Sequence, residues 1–253
     1  MAKASATFFI IRVVDEPLMT VTAKDPILAL NFLSRHPGED SPALAPGELH
    51  LWKIPCGQDG GDPERLWPSL SAAEQCRADR FKPPGHRETY IRAHAGLRHI
   101  LSPYLGMAPS AIPFEQGPQG KPWVAGPLEF NLTTTRDLAL VALRRDEPVG
   151  IDCERISGHR DMLAIGQRVF SAAEQARLQE APATERPLLF TLFWTALEAR
   201  VKLNGQGLFQ PPASLAHAPD VVAHFVPHRD YLAAIAGTQL PPRIAWKAWW
   251  LAW

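Results

Sequence analysis

Apolar positions along this chain follow two alternating periodicities. His50-Leu51-Trp52-Lys53-Ile54 alternates as a half-buried strand does. Residues 86–101 repeat at helical spacing instead, with Tyr90, Ile91, Leu97, Ile100 and Leu101 in one stripe and Arg87, Arg92 and Arg98 around it. The strand pattern returns at Leu138–Leu143 and, past the turn Asp146-Glu147-Pro148, at Val149–Glu154. A second long helix is predicted over 187–203, with Pro187 in its first turn and Gly205 and Gly207 to stop it. Further strands are predicted at 221–226 and 244–250. The tail tryptophans Trp246, Trp249, Trp250 and Trp253 read as core. Upstream, residues 1–24 read as a strand followed by a turn, and 25–36 as a short helix built on Ile27, Leu28, Leu30 and Phe32. Residues 37–47 hold three prolines and two glycines and read as a linker.

One heptapeptide occurs twice. Ser71-Ala72-Ala73-Glu74-Gln75-Cys76-Arg77 returns 100 residues later as Ser171-Ala172-Ala173-Glu174-Gln175-Ala176-Arg177, identical at six of seven positions. Each copy opens S-x-x-E, a capping box in which serine and glutamate satisfy each other's free backbone amides. Two independent helix starts would also give this pattern. The number of identities, and the long amphipathic helix after each copy, favour a duplicated unit. The expected fold class is therefore α+β, with two pseudo-symmetric α/β halves over 48–148 and 149–253 behind an N-terminal extension of residues 1–47.

Composition narrows the function classes. Lys+Arg and Asp+Glu both number 26, so the net charge is zero and a basic nucleic-acid footprint is not supported. No apolar run approaches bilayer-spanning length, and Phe8-Phe9-Ile10-Ile11 runs into Arg12 without a small-residue cleavage site. Three cysteines, Cys56, Cys76 and Cys153, give no disulfide framework and no metal spacing, which fits a reducing cytoplasm. The nine histidines lack zinc-site spacing on a convincing helix.

Four stretches carry candidate chemistry. In Val149-Gly150-Ile151-Asp152-Cys153-Glu154, strand alternation sends Val149, Ile151 and Cys153 to one face and both carboxylates to the other. Paired carboxylates suit magnesium shared with phosphate oxygens; a half-exposed strand with solvated acids gives the same pattern. Trp194, Glu198 and Lys202 are spaced i, i+4, i+8 on one helix face. That spacing serves a metal ligand and a phosphate contact, or an ordinary surface Glu–Lys pair. Gly117-Pro118-Gln119-Gly120-Lys121-Pro122 is a turn presenting one cation, and Phe130-Asn131-Leu132-Thr133-Thr134-Thr135 places three hydroxyls at a strand end.

Taken together and in order, these stretches resemble the Sfp-type phosphopantetheinyl transferases. That family's pattern runs G-K-P, F-N-[IL]-S-H-S, [VI]-G-[IV]-D-[VI]-E and W-x-x-K-E-[AS]-x-x-K. This chain supplies Gly120-Lys121-Pro122, Phe130-Asn131-Leu132, Val149 to Glu154, and Trp194, Glu198-Ala199 and Lys202. Ala78-Asp79-Arg80-Phe81 and Arg87 with Tyr90-Ile91 extend the likeness, which covers roughly 48–240. The resemblance implies a cytoplasmic, monomeric enzyme binding coenzyme A and magnesium between its two halves. The phosphopantetheine arm would pass to a serine of an acyl or peptidyl carrier protein of fatty-acid, polyketide or peptide assembly, releasing adenosine 3′,5′-bisphosphate. Nucleic acid and membrane partners are not implied. By position Asp152, Glu154 and Glu198 would hold magnesium, Glu198 would accept the serine proton, and Lys202 would contact the pyrophosphate and protonate the leaving group. Lys121 and Pro122 would pack on adenine, Thr133 and Thr134 would face phosphate, and Arg77, Arg80 and Arg87 are candidates for the 3′-phosphate.

Two positions depart from the family. Its S-H-S is Thr133-Thr134-Thr135 here, and the lysine before the helix glutamate is Leu197. Each change removes a cation from the site of a highly anionic ligand. A charge-assisted hydrogen bond contributes about 1.5–3 kcal/mol, so either loss would weaken binding without removing the metal ligands. Arg200 is a cation three residues further along the same helix. A non-catalytic relative that binds coenzyme A or a carrier protein, and a relative turned to another phosphate chemistry, are the alternatives these departures leave open.

Overall fold

A computed structural model of the chain describes residues 9–11, 19–21, 27–39, 43–117, 120–158, 161–205 and 221–253. The strands are β1 (Phe9–Ile11), β2 (Met19–Val21), β3 (Ile27–Ala29), β4 (Leu33–Arg35), β5 (Leu49–Pro55), β6 (Glu115–Gln116), β7 (Pro122–Trp123), β8 (Leu128–Thr134), β9 (Leu138–Arg145), β10 (Gly150–Arg155), β11 (Val221–Val226), β12 (Tyr231–Gly237) and β13 (Trp246–Leu251). The helices are α1 (Pro63–Leu66), α2 (Ala72–Ala78), α3 (Pro84–Leu105), α4 (Met162–Val169), α5 (Ala172–Glu180) and α6 (Arg186–Asn204). The fold is of the mixed α+β class, as the sequence predicts.

Two main sheets stack face to face, and each carries a long helix on its outer face. One sheet has the order β4-β13-β5-β9-β8 and the other β10-β12-β11-β3. Strand alternation explains the layers. On β9, Ala139, Val141 and Leu143 pack toward α3 with Trp52, Ile54, Leu97 and Leu101. Leu138, Leu140 and Ala142 face the opposite way, into a core shared with Ile151, Cys153, Ala233 and Ile235 of the second sheet. On β12, Ala234 and Ala236 turn outward against Ala199 and Leu203 of α6. A buried sheet with a helix behind it is thus covered on both faces, and its central strands, β9 and β12, are apolar along most of their length.

The repeated heptapeptide forms matching structures. Ser71 and Ser171 each accept from the backbone N–H three residues on, and Glu74 and Glu174 each accept from the cap amide. Each capped helix precedes a long one, α3 or α6, and both long helices end on a left-handed glycine, Gly106 and Gly205 (φ 62° in each). The other predicted stop, Gly207, lies outside the described residues.

The two copies differ in what the glutamate does next. Glu74 Oε2 accepts from Nε of the fully buried Arg98 at 2.7 Å, and Glu74 Oε1 lies 3.3 Å from His94 Nδ1. Arg98 also donates to the carbonyls of Pro109 and Ile112. Burial pushes the Glu74 carboxyl up, but hydrogen bonds from His94, Arg98 and the Ser71 amide outweigh it and hold the group at about 2. A depressed carboxylate stabilises the fold above its unfolded value and loses that contribution as pH falls toward its folded value. Glu74→Gln is therefore expected to cost about 3 kcal/mol at neutral pH. Urea titrations should show the wild-type advantage shrinking between the ordinary value of 4.5 and about 2; a constant gap across that range would refute the linkage.

Two sequence expectations need correction. Residues 25–36 do not form a helix: β3 and β4 occupy 27–35. Leu28, Leu30 and Phe32 all pack on the inter-sheet core, a period of two that the adjacent Ile27 obscures. Parallel pairing of β3 with β11 and β4 with β13 decides the local structure. Strand β12 was missing from the sequence reading, because Tyr231-Leu232-Ala233-Ala234-Ile235-Ala236-Gly237 is buried on both faces and shows no alternation. The other predicted elements fall within a few residues of expectation, whereas α1, α4, β6 and β7 have no counterpart in the sequence reading. For residues 1–24, β1 and β2 form an antiparallel pair, and the predicted turn lies outside the described residues. The C-terminal strand β13 sits between β4 and β5, so the end of the chain completes the sheet of the first half. Trp249 is buried there, as a core reading requires.

Candidate active site

The site is built where β8, β10 and α6 meet. On β10, Ile151 and Cys153 point into the inter-sheet core and Asp152 points the other way. Gly150 sets how closely α6 approaches. A Cβ at this position would lie 2.0 Å from the carbonyl oxygen of Ala199 and 2.5 Å from the amide nitrogen of Leu203, so only glycine fits. That close approach carries Lys202 to the strand. Its Nζ donates to Asp152 Oδ1 at 2.6 Å and to Thr133 Oγ1 at 3.1 Å. Thr133 Oγ1 in turn donates to Asp152 Oδ1 at 3.1 Å. Next to this triangle, Asn131 Oδ1 accepts from the Ile151 amide at 2.9 Å and pins β8 to β10. The alternation that turns Phe130 toward α3 turns Asn131 and Thr133 toward β10.

The electrostatics are those of crowded carboxylates. Asp152 is 4% exposed. Among the described residues its second oxygen, Oδ2, is buried without a hydrogen-bond partner. Burial together with the nearby charges of Asp152 and Glu154 raises the Glu198 carboxyl to about 7, with Lys202 pulling the other way. No three His, Cys, Asp or Glu side chains among the described residues form a ready-made metal cage. Magnesium does not require one, since it binds through one or two carboxylates and takes its other oxygens from water and phosphate. A buried carboxylate oxygen without a donor, beside two further acids, fits such an ion.

The other predicted residues are spread more widely. Lys121 Nζ donates to the Val149 carbonyl at 3.3 Å, and burial lowers its pKa. Its neighbour Pro122 begins β7. Thr134, at the exposed end of β8, lines a cavity of about 820 Å³ bounded by α3 and the β8–β9 turn. The three arginines expected at the 3′-phosphate do not line this cavity. Arg87 pairs with Glu64 and Asp79 and lies over the Trp67 ring, and Arg77 lies over Tyr90. Leu197 packs into the apolar cluster of α4, α5 and α6 with Trp194, which stacks on Phe190. Cys153 is buried and its thiol is pushed far up by that burial, in keeping with a packing role.

Sequence reasoning missed Asn131 and Gly150 as parts of the site. Their signals were present: a buried-type amide at mid-strand needs a backbone partner, and a glycine inside a strand marks a close backbone approach. Neither signal names the partner, which comes from elsewhere in the chain.

Comparison with known proteins points to one family. Residues 148–240 match the family model of the 4'-phosphopantetheinyl transferase superfamily, a span that contains β10 and α6 with Asp152, Glu198 and Lys202. The chain is 32% identical over 210 residues to the 4'-phosphopantetheinyl transferase HetI of Nostoc sp., covering 76% of this chain and 89% of that protein. It is 33% identical over 147 residues to the 4'-phosphopantetheinyl transferase psf-1 of Bacillus pumilus, 57% of this chain and 62% of the relative. It is also 33% identical over 126 residues to AcpT of Escherichia coli, 49% and 61% of the two chains. From its motifs, its fold and its likeness to HetI along most of both chains, the protein belongs to the 4'-phosphopantetheinyl transferase superfamily.

Proposed function

We propose that the protein transfers the phosphopantetheine arm of coenzyme A to a serine of an acyl or peptidyl carrier protein, with magnesium. The observation that carries this reading is the junction of Asp152, Thr133 and Lys202 from three separate elements, with the raised carboxyl of Glu198 beside it. The serine oxygen bonds to the phosphorus that bears pantetheine. The bond from that phosphorus to the bridging oxygen breaks, and adenosine 3′,5′-bisphosphate leaves. Asp152, Glu154 and Glu198 would hold magnesium, which would neutralise charge on the pyrophosphate and orient its oxygens. Glu198 takes the serine proton, directly or through water, a role open to a carboxylate at the edge of the junction. Lys202, fixed by Asp152 and Thr133, presents its charge to the pyrophosphate without a rotamer search. Lys121 and Pro122 border the adenine.

The three cysteines are free, which supports a reducing, cytoplasmic setting. No helix among the described residues is long and apolar enough to cross a membrane.

Intact-protein mass spectrometry tests the reaction directly. The protein, coenzyme A, magnesium and a panel of acyl and peptidyl apo carrier proteins are mixed. The expected result is a gain of one phosphopantetheine arm that vanishes with EDTA. No gain on any carrier at high enzyme and coenzyme A concentrations would overturn the reading, and a gain that persists in EDTA would overturn its metal.

A further inference from the structure

A second cavity, of about 840 Å³, opens at the end of the layer between the two sheets. It shares Gly57, Gln58 and Asp137 with the cavity beside Thr134 and is otherwise lined by different residues. On β5, Leu49 and Leu51 face the inter-sheet core, and strand alternation sends Lys53 the same way, into this opening. The Lys53 ammonium has few partners there. It lies 3.4 Å from the Pro227 carbonyl, a long hydrogen bond, and 5.1 Å from the centre of the Phe32 ring. An ammonium has three donors, so most of its bonding capacity is unused among the described residues. Burial lowers the Lys53 pKa, and no carboxylate among them offsets that. A half-buried charge without a counter-ion is costly, and a bound anion would remove the cost.

The rest of the lining says which kind of anion fits. Lys53, Arg155 and Arg229 face Asp59, Asp137 and Asp230, so the cavity has no surplus of positive charge for a polyanion such as a nucleotide. Two of these acids are engaged: Asp137 accepts from the Tyr231 hydroxyl at 2.9 Å, and Asp230 lies 4.0 Å from Arg229. His228 Nδ1 lies 3.1 Å from the Arg229 carbonyl. Phe32, Leu138 and Trp250 supply apolar wall. One negative charge on an apolar body matches this set.

We propose that this cavity binds a small monovalent organic acid, with its carboxylate on the Lys53 ammonium and its apolar body against Phe32, Leu138 and Trp250. Phe32 lies in the link between β3 and β4, the N-terminal strands that join one main sheet each, so the extension contributes a wall of the site. The proposal stands apart from the transferase reading, and failure of carrier modification would leave it untouched.

Ligand-observed NMR titration of the full chain compares benzoate with benzyl alcohol and benzylamine. The three probes share a ring and differ in charge. Wild type is expected to bind benzoate about tenfold or more tightly than benzyl alcohol, the scale of a charge-assisted contact, and benzylamine no better than the alcohol. Lys53→Met keeps the apolar stem and strands no charge. It should remove most of the preference for benzoate while still binding benzyl alcohol, which reports an intact cavity. Lys53→Arg should keep much of the preference, and Lys82→Met, outside both cavities, should leave it intact. Saturating adenosine 3′,5′-bisphosphate should not displace benzoate. A wild-type protein that does not bind benzoate, or binds either other probe as tightly, would overturn the proposal. So would a Lys53→Met preference equal to wild type. Displacement by the nucleotide would also overturn it, by placing benzoate in the nucleotide's site.

Discussion

Lys202→Met is expected to lower stability and activity together. The ammonium it removes is the close partner of a carboxylate whose side chain is 6% exposed, at 2.6 Å. Asp152 Oδ1 would keep one donor, Thr133, and Oδ2 already has none among the described residues. Stranding a buried charge in this way costs about 3–5 kcal/mol, which for a chain of this size lowers Tm by about 6–20 °C. The Glu198 carboxyl would rise further, because Lys202 is what pulls it down. Transfer should fall by about 100- to 1,000-fold, the scale seen when a preorganised electrostatic contact is removed.

The pair is asymmetric, and that gives a sharper test. Lys202 is 28% exposed. Its flexible stem can swing the ammonium to water, whereas Asp152 cannot follow. Asp152→Asn should therefore destabilise less than Lys202→Met. The double variant should recover most of the lost stability, since no charge is left stranded, while transfer stays at the level of the worse single variant. Thermal melts and carrier mass spectra on the four proteins separate the outcomes. A Lys202→Met protein that melts like wild type, or a double variant less stable than both singles, would show that the ion pair does not hold the junction.

Why the sequence revealed this junction only in part follows from how its residues are joined. Asp152 and Lys202 each lie in a periodic element, and their faces can be read from alternation and from i, i+4 spacing. That Asp152 is buried cannot be read that way, because the burial comes from α6 lying across β10. The same applies to Thr133, which was expected at phosphate and is bonded to both members of the ion pair. Arg77 and Arg87 show the converse balance of local and distant signals. Their position near α3 is local and legible, but their partners Tyr90, Trp67, Glu64 and Asp79 are set by packing among α1, α2 and α3. Elements with long runs of one periodicity, α3, α6, β5 and β9, were legible to within a few residues. Elements chosen by pairing, such as β3, β4 and β12, were not. In β12 Ala233 and Ile235 on one face and Leu232, Ala234 and Ala236 on the other carry no polar marker, so only the two layers that cover it make it a strand.

Gly150→Ala is expected to be the most disruptive glycine-to-alanine change among the described residues. The added Cβ would sit 2.0 Å from the Ala199 carbonyl oxygen, 2.5 Å from the Leu203 amide nitrogen and 3.0 Å from Leu203 Cα. All three are backbone atoms of one helix, so no side-chain rotation relieves the clash; α6 must move away from β10 as a body. Overpacking a core costs about 1–3 kcal/mol where side chains can yield. With rigid backbone on the other side the cost should exceed that, about 4 kcal/mol or more. The movement also separates the site, because Glu198 and Lys202 travel with α6 and Asp152 stays on β10. A displacement of about 1 Å is enough to lose roughly 100-fold in rate, so transfer should drop even at temperatures where the variant remains folded. Gly158→Ala is the control, since the nearest atom to its Cβ would be Pro187 Cγ at 3.8 Å, ordinary contact. Gly158→Ala should melt and transfer like wild type. A Gly150→Ala protein that keeps wild-type stability and full transfer would show that α6 does not lie against β10 as closely as the junction requires. One that is destabilised but fully active well below its Tm would show that the spacing of α6 supports the fold without setting the chemistry.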